Sequence, residues 1–255
     1  MQASLNPRGG RIILAGALAA ASVLAVSGGA RAAAPAWLKH AFALHRARPP
    51  APAVERFTIE AGGAFTLDRS LGRPLLKFDD SPEVWALTAS RGPRGDMIYL
   101  NDSGQPVLRT TRLGGVTVFT PRRPEGAAAA DSGAGAPLRL ASIGPERLYQ
   151  RLVQASARSS RAAQHLIAFE VPDADSNSDG LIADAAGVAS EAIVLLATRY
   201  GGRTVLTRVT KVVIEMGRLP GAALRGGVIY LTVAPPQGVA GRPSSERILV
   251  SLGAR

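Results

Sequence analysis

Arg56-Phe-Thr-Ile-Glu-Ala-Gly-Gly-Ala-Phe-Thr-Leu67 decides the architecture of the first half of this chain. Two runs, 56–59 and 64–67, place apolar residues at alternate positions on either side of Gly62-Gly63. A period of two buries one face of a strand, and paired glycines supply the positive φ angles of a tight hairpin. The same grammar recurs downstream. Residues 75–78 and 84–88 flank Asp79-Asp80-Ser81-Pro82, residues 97–100 and 107–111 flank Asn101-Asp102-Ser103-Gly104, and residues 116–120 follow Gly114-Gly115. Short strands separated by turn residues predict a small antiparallel β-sandwich or barrel-like sheet over 55–121.

Residues 122–140 carry Arg122-Arg123-Pro124, four alanines at 127–130 and Ser132-Gly133-Ala134-Gly135. With so little to bury, they read as a low-complexity linker. Residues 141–255 alternate element types. Helices are expected at 145–166, where Pro145 suits a first turn, and at 182–200, closed by Gly201-Gly202. Strands are expected at 167–171, 203–216 and 227–233. A last helix is expected at 244–252, capped by Ser244 with Glu246 in its first turn, although the Ile, Leu and Val of 247–252 would also suit a strand. The whole is an α+β chain: a β-rich half followed by a mixed half.

Upstream, Arg8 and Arg11 precede an uncharged apolar run at 12–26, and Ala30-Arg31-Ala32 has the small-x-small form of a signal-peptidase site. The run is shorter than the roughly 20 apolar residues of a spanning helix, so residues 1–32 read as a cleaved signal peptide. No later segment is expected to span a bilayer. Residues 37–46 form a short amphipathic stretch, and Pro49, Pro50 and Pro52 make a stiff linker, together filling 33–54. The chain has no cysteine, so an exported domain must be held by core packing rather than disulfides. Net charge is +11, and +8 once Arg8, Arg11 and Arg31 leave with the signal. That balance attracts acidic envelope material, although the arginines are scattered as on a plainly solvated surface.

Four polar groupings merit weighing. Asp175, Asn177 and Asp179, followed by Gly180, match the alternating oxygen ligands and bend of a calcium loop, with Asp184 as a further ligand. The closing position falls on Ala186, and a solvated acidic turn explains the same residues. Asp79, Asp80 and Glu83 place three carboxylates together, as a polysaccharide hydrolase requires of its acid and base, but they straddle a Ser-Pro turn. Arg242, Ser244, Ser245 and Arg247 set two guanidinium groups and two hydroxyls at a helix start. They form the expected anion-binding patch, against the plainer reading of a capped terminal helix. Arg94-Gly95-Asp96 spells an adhesion tripeptide that a turn before a strand also explains. His40, His45 and His165 lack zinc-ligand spacing. No phosphate-binding loop, dinucleotide fingerprint or nucleophile elbow occurs. Few aromatics accompany the basic residues, so nucleic acid is not the expected partner.

Pro74-Leu-Leu-Lys-Phe-Asp-Asp-Ser-Pro-Glu-Val-Trp85, with Arg94-Gly-Asp96, Asn101-Asp-Ser-Gly104, Gly114-Gly-Val-Thr-Val-Phe-Thr-Pro121 and Gly241-Arg-Pro-Ser-Ser-Glu-Arg-Ile248, resembles a domain-of-unknown-function family of exported alphaproteobacterial proteins. The resemblance supplies no activity, ligand or catalytic residue. The expected role is therefore a periplasmic, non-enzymatic accessory or binding protein of the Gram-negative envelope. Its expected partner is an envelope protein or an anionic envelope component, and it needs no cofactor. The alternatives are a hydrolase built on the carboxylates and a Ca²⁺-binding protein.

Overall fold

The computed structural model describes residues 52–173, 175 and 177–253. The expected signal peptide, the amphipathic stretch at 37–46, Pro49, Pro50, His40 and His45 lie outside the described residues. The hairpin at 56–67 forms as β1 (Val54–Ile59) and β2 (Ala64–Asp68), with Gly62 and Gly63 at φ 95° and 91°. Phe57 lies opposite Phe65, and their rings stack with centroids 5.1 Å apart. Phe65 is fully buried. Such a side chain contributes about 1.5–3 kcal/mol by leaving water, and the stacked pair adds about 0.5–1.5 kcal/mol.

The antiparallel series continues as β3 (Leu75–Phe78), β4 (Val84–Ala86), β5 (Thr88–Arg91), β6 (Met97–Leu100), β7 (Pro106–Thr110) and β8 (Val116–Thr120). Strands β4 and β5 form opposite edges of one nine-stranded sheet, yet only Leu87 separates them along the chain. Edges joined by one residue force the sheet to curl back on itself into a nearly closed, barrel-like form. Leu87 is itself fully buried in the interior, with Phe57, Phe65, Leu67, Leu76 and Leu108.

The expected linker at 122–140 is corrected by the structure. Residues Arg123–Ala134 form a twelve-residue strand, β9, which pairs with β1 on one side and β8 on the other. Alanines read as having nothing to bury, but Ala127 and Ala129 pack against the barrel core. At Gly126 (φ 93°) a Cβ would stand 2.6 Å from Thr117 Cγ2 and 2.9 Å from Phe119 Cε1, so the strand needs a glycine there. The small side chains of β9 fit beneath the larger ones of its neighbours.

The second half holds helices α1 (Gly144–Ala163), α2 (Asp179–Thr198), α3 (Gly202–Leu206) and α4 (Ser245–Ser251). Its sheet runs in the order β10 (Ala168–Glu170), β11 (Lys211–Met216), β13 (Val228–Val233), β12 (Gly221–Arg225). The first three strands are parallel and β12 is antiparallel to β13. The long strand expected at 203–216 is two elements: α3 takes its first residues and β11 its last. β-Branched Thr204 and Val205 carried the strand reading, but Gly201 turns with φ 71° and starts a helix. Strand β12 gave no strand signal, because Gly221-Ala222-Ala223 lacks branched residues.

Helix α2 is buried on most of its circumference, with Ile182, Ala185, Ala189 and Ile193 fully or almost fully enclosed. It is long and apolar enough to cross a membrane, contrary to the sequence expectation for residues past the leader, yet most of it packs inside the protein. The two halves join through Leu75, Val239 and Ala240, backed by Val84, Ala86, Leu138 and Leu140. The site lies beside this seam.

Candidate functional site

Helix α4 begins at the seam, and its first turn is satisfied from two directions. Ser244 is its N-cap, its hydroxyl accepting from the Arg247 amide at 3.0 Å. The Ser244 amide and hydroxyl also donate to Asp102, at 3.0 and 2.6 Å. One residue on, the Ser245 amide and hydroxyl donate to Glu83, at 2.9 and 2.6 Å. Asp102 comes from the β6–β7 turn and Glu83 from the β3–β4 turn. Two carboxylates of the barrel thus occupy the amides and hydroxyls where an external anion would sit.

Arg242, 5 % exposed, completes the cluster. It pairs through Nε with Asp184 of α2, and through Nη1 with Glu83 at 3.5 Å. It also donates to the Val84 carbonyl at 2.9 Å. Three groupings that the sequence kept apart therefore meet here, with Glu83 from the carboxylates, Asp184 from the calcium loop and Arg242 with Ser245 from the anion patch. The remaining members do not join them. Asp79 and Asp80 are exposed on the turn, and Asp79 pairs with Arg56. Asp79, Asp80 and Glu83 do not converge, which removes the carboxylate set proposed for hydrolysis. Asp175 and Asn177 are exposed, whereas Asp179 is buried at the start of α2 and Asp184 is held by Arg242. The calcium ligands are thus dispersed, because residues from Asp179 onward belong to a helix rather than a loop. Among the described residues no group of three or more His, Asp or Glu is placed to hold a metal ion. Asp96 of the adhesion tripeptide is buried and pairs with Arg109. His165 faces the Ala163 and Val209 carbonyls.

Beside α4 opens a cleft of about 360 Å³, lined by Arg73, Trp85, Asn101, Asp102, Glu246 and Arg247 among others. Asn101 donates to Glu246. Arg73 and Arg247 form no ion pair among the described residues. Burial holds the Glu246 carboxyl above the usual range, helped by Asp102 and Glu83 and opposed by Arg199. Burial also raises Glu83, outweighing Arg242 and the Ser245 bonds. Sequence reading missed Arg73, Trp85, Asn101, Asp102 and Glu246 as site residues. Asn101 and Asp102 looked like turn residues, and nothing in the sequence reports a pairing with residues more than 140 positions away.

These shifts fix a pH dependence. Glu83 and Glu246 have folded-state values above their unfolded ones. Their contribution is full below about pH 4.3 and is lost as pH rises through the folded values. Asp68 acts oppositely. Its burial raises it, but bonds from the Ser70 hydroxyl and amide, the Leu138 amide and Arg139 outweigh burial and leave it lowered. Its contribution is present above about pH 3.9 and is lost as pH falls through its folded value. Glu246→Gln keeps an acceptor for Asn101 and removes the charge. It should melt above the wild type at pH 7, with the gap narrowing as pH falls towards 4.5. Differential scanning calorimetry at both pH values checks this, and an equal gap at both would contradict it.

The chain belongs to the family described as Domain of unknown function (DUF4908), whose model matches residues 38–252 and so spans the barrel, the seam and α4. No curated protein and no solved structure matches the chain.

Proposed function

We propose that this protein is an exported, non-enzymatic binding module of the Gram-negative envelope, and that it holds an anionic envelope component in the cleft beside α4. The observation that carries the reading is the pairing of Arg73 and Arg247, both without a carboxylate partner among the described residues, with Trp85 in one concave site. Guanidinium groups bind carboxylates and phosphates in a bidentate fashion. Trp85 lines the cleft while its ring packs edge-on against Phe78 of the barrel core, and the part of an indole left open to a cleft suits the apolar face of a sugar ring, so an acidic glycan satisfies both features. The rest of the α4 anion patch is occupied by Glu83 and Asp102, which leaves Arg247 as its ligand-facing member.

Calorimetric titration tests this with an oligogalacturonate as probe and a neutral galactan oligomer as control. The acidic oligomer should bind, with affinity falling as salt rises, and Arg73→Gln with Arg247→Gln should weaken it at least tenfold. Equal binding of the neutral oligomer, or an unaffected double variant, would refute the reading. Export is checked on the native product by mass spectrometry, which should find Ala33 as the first residue.

A second reading rests on Glu246 and Asp102, two carboxyl groups in the same cleft with different surroundings. Glu246 is held above its usual range, while Asp102 accepts two hydrogen bonds from Ser244. Such a pair can divide acid and base roles. Release of new reducing ends from the oligogalacturonate, lost in Glu246→Gln, would replace binding with hydrolysis.

A further inference from the structure

Helix α2 carries Gly187 near its middle, where glycine is among the poorest helix formers. Nothing among the described residues requires it. Its φ is not positive, and an added Cβ would meet no atom of the described residues within 4 Å. Gly180, two turns earlier, is different, since a Cβ there would collide with the Ala141 carbonyl. Gly187 instead faces an open cleft of about 430 Å³ between the helices α1 and α2.

Apolar surface dominates this cleft. Gly187, Ala183 and Val188 come from α2, Leu140 and Ile143 from the connector before α1, and Pro82 from the β3–β4 turn. Its acidic residues are already paired, Glu83 and Asp184 with Arg242, and Glu191 with Arg158. Arg151 of α1 also lines it and forms no ion pair among the described residues. Glu83 and Asp184 share the single cation of Arg242, and of the two arginines that line the apolar trough Arg151 alone lacks a carboxylate partner among the described residues. Apolar ligands fill preformed troughs of this size, with a few polar groups fixing their orientation.

We infer that the α1–α2 cleft is a second binding site, which takes an acyl chain ended by a carboxylate or phosphate, with the chain along Gly187 and the head group at Arg151. It shares no lining residue with the cleft beside α4, and it does not rest on the reading of that cleft.

The test is calorimetric titration of the protein, purified as the cell makes it, with dodecanoate, dodecyl phosphate and dodecanol, all below their aggregation limits. One or both anionic probes should bind at least tenfold more tightly than dodecanol, and their ratio tells a fatty acid from a phosphate head group. Gly187→Leu projects into open space and favours helix. It should melt no lower than the wild type and lose at least tenfold in affinity for the anionic probes. Arg151→Gln should bring those probes level with dodecanol. Absence of binding to the wild type, or undiminished binding to Gly187→Leu, overturns the site. If Gly187→Leu does not fold, Arg151→Gln decides alone, and an unchanged preference for the anionic probes overturns it.

Discussion

Replacing Arg242 with Met should cost about 3–5 kcal/mol, the range for breaking a buried ion pair by removing one partner. Arg242 and Glu83 have side chains 2 % and 6 % exposed, so neither can recover water when the other is lost. Without the guanidinium, Glu83 would sit buried with only the Ser245 amide and hydroxyl as partners, and Asp184 would lose its cation. The Val84 carbonyl would lose a donor as well. Adding Glu83→Gln to Arg242→Met should restore at least about 1 kcal/mol, because the neutral amide still accepts from Ser245 and is cheaper to bury. The exposed pair Arg56–Asp79 gives the contrast, since Arg56→Ala should cost less than about 1 kcal/mol. Urea unfolding of these three variants and of Glu83→Gln alone measures all these terms. Strict additivity of Arg242→Met and Glu83→Gln would show that the two side chains do not act through each other.

The legible part of this site was its local part. Ser244 as a helix cap followed from the hydroxyl, the apolar run after it and Glu246 two positions on. These are features of a single turn, and the cap forms as read. Arg242, Ser244, Ser245 and Glu83 each stood out as polar residues in unusual company. Their mutual placement was not legible, because it depends on how the β3–β4 and β6–β7 turns meet α4 across the seam, and no periodicity encodes that. Glu83 follows a Ser-Pro turn and looks solvated. What buries it is a helix 162 positions away. At the helix start the amides and hydroxyls of Ser244 and Ser245 are taken by carboxylates of the protein itself, Asp102 and Glu83.

The barrel shows the same division. Strands with branched or aromatic residues at alternate positions were legible wherever a turn bounded them, as at β1–β2 and β6–β7. The signal was weak where small residues fill a site between larger neighbours. Strands β9 and β12 are both rich in Ala and Gly, and both pair with partners that carry the bulk. Sheet closure was foreshadowed by the single run 84–88, read as one strand. The structure splits it at Leu87, whose burial pins the two edges of the sheet to one corner.

The same strand sets the second large effect. Ala129→Pro should cost about 3 kcal/mol or more, whereas in a linker at 122–140 it would cost almost nothing. Ala129 lies opposite Ile59 of β1 and Val116 of β8, so it has a bonded neighbour on each side. Proline removes the amide donor, and its ring fits only edge strands and bulges. The carbonyl left without that donor accounts for about 1–3 kcal/mol if water cannot reach it. Ring strain against the paired strands, and displaced packing of Ala127 and Ala129 on the core, supply the rest. Ala136→Pro lies beyond the end of β9 at an exposed position and is the control, with an expected change below about 0.5 kcal/mol. The readout is the urea midpoint of each variant, followed by tryptophan fluorescence and by far-ultraviolet circular dichroism. Loss of both signals together at a lower midpoint in Ala129→Pro alone is the expected result. A wild-type midpoint in Ala129→Pro would mean that β1 and β8 do not depend on a strand between them, and the closed sheet would fall with it.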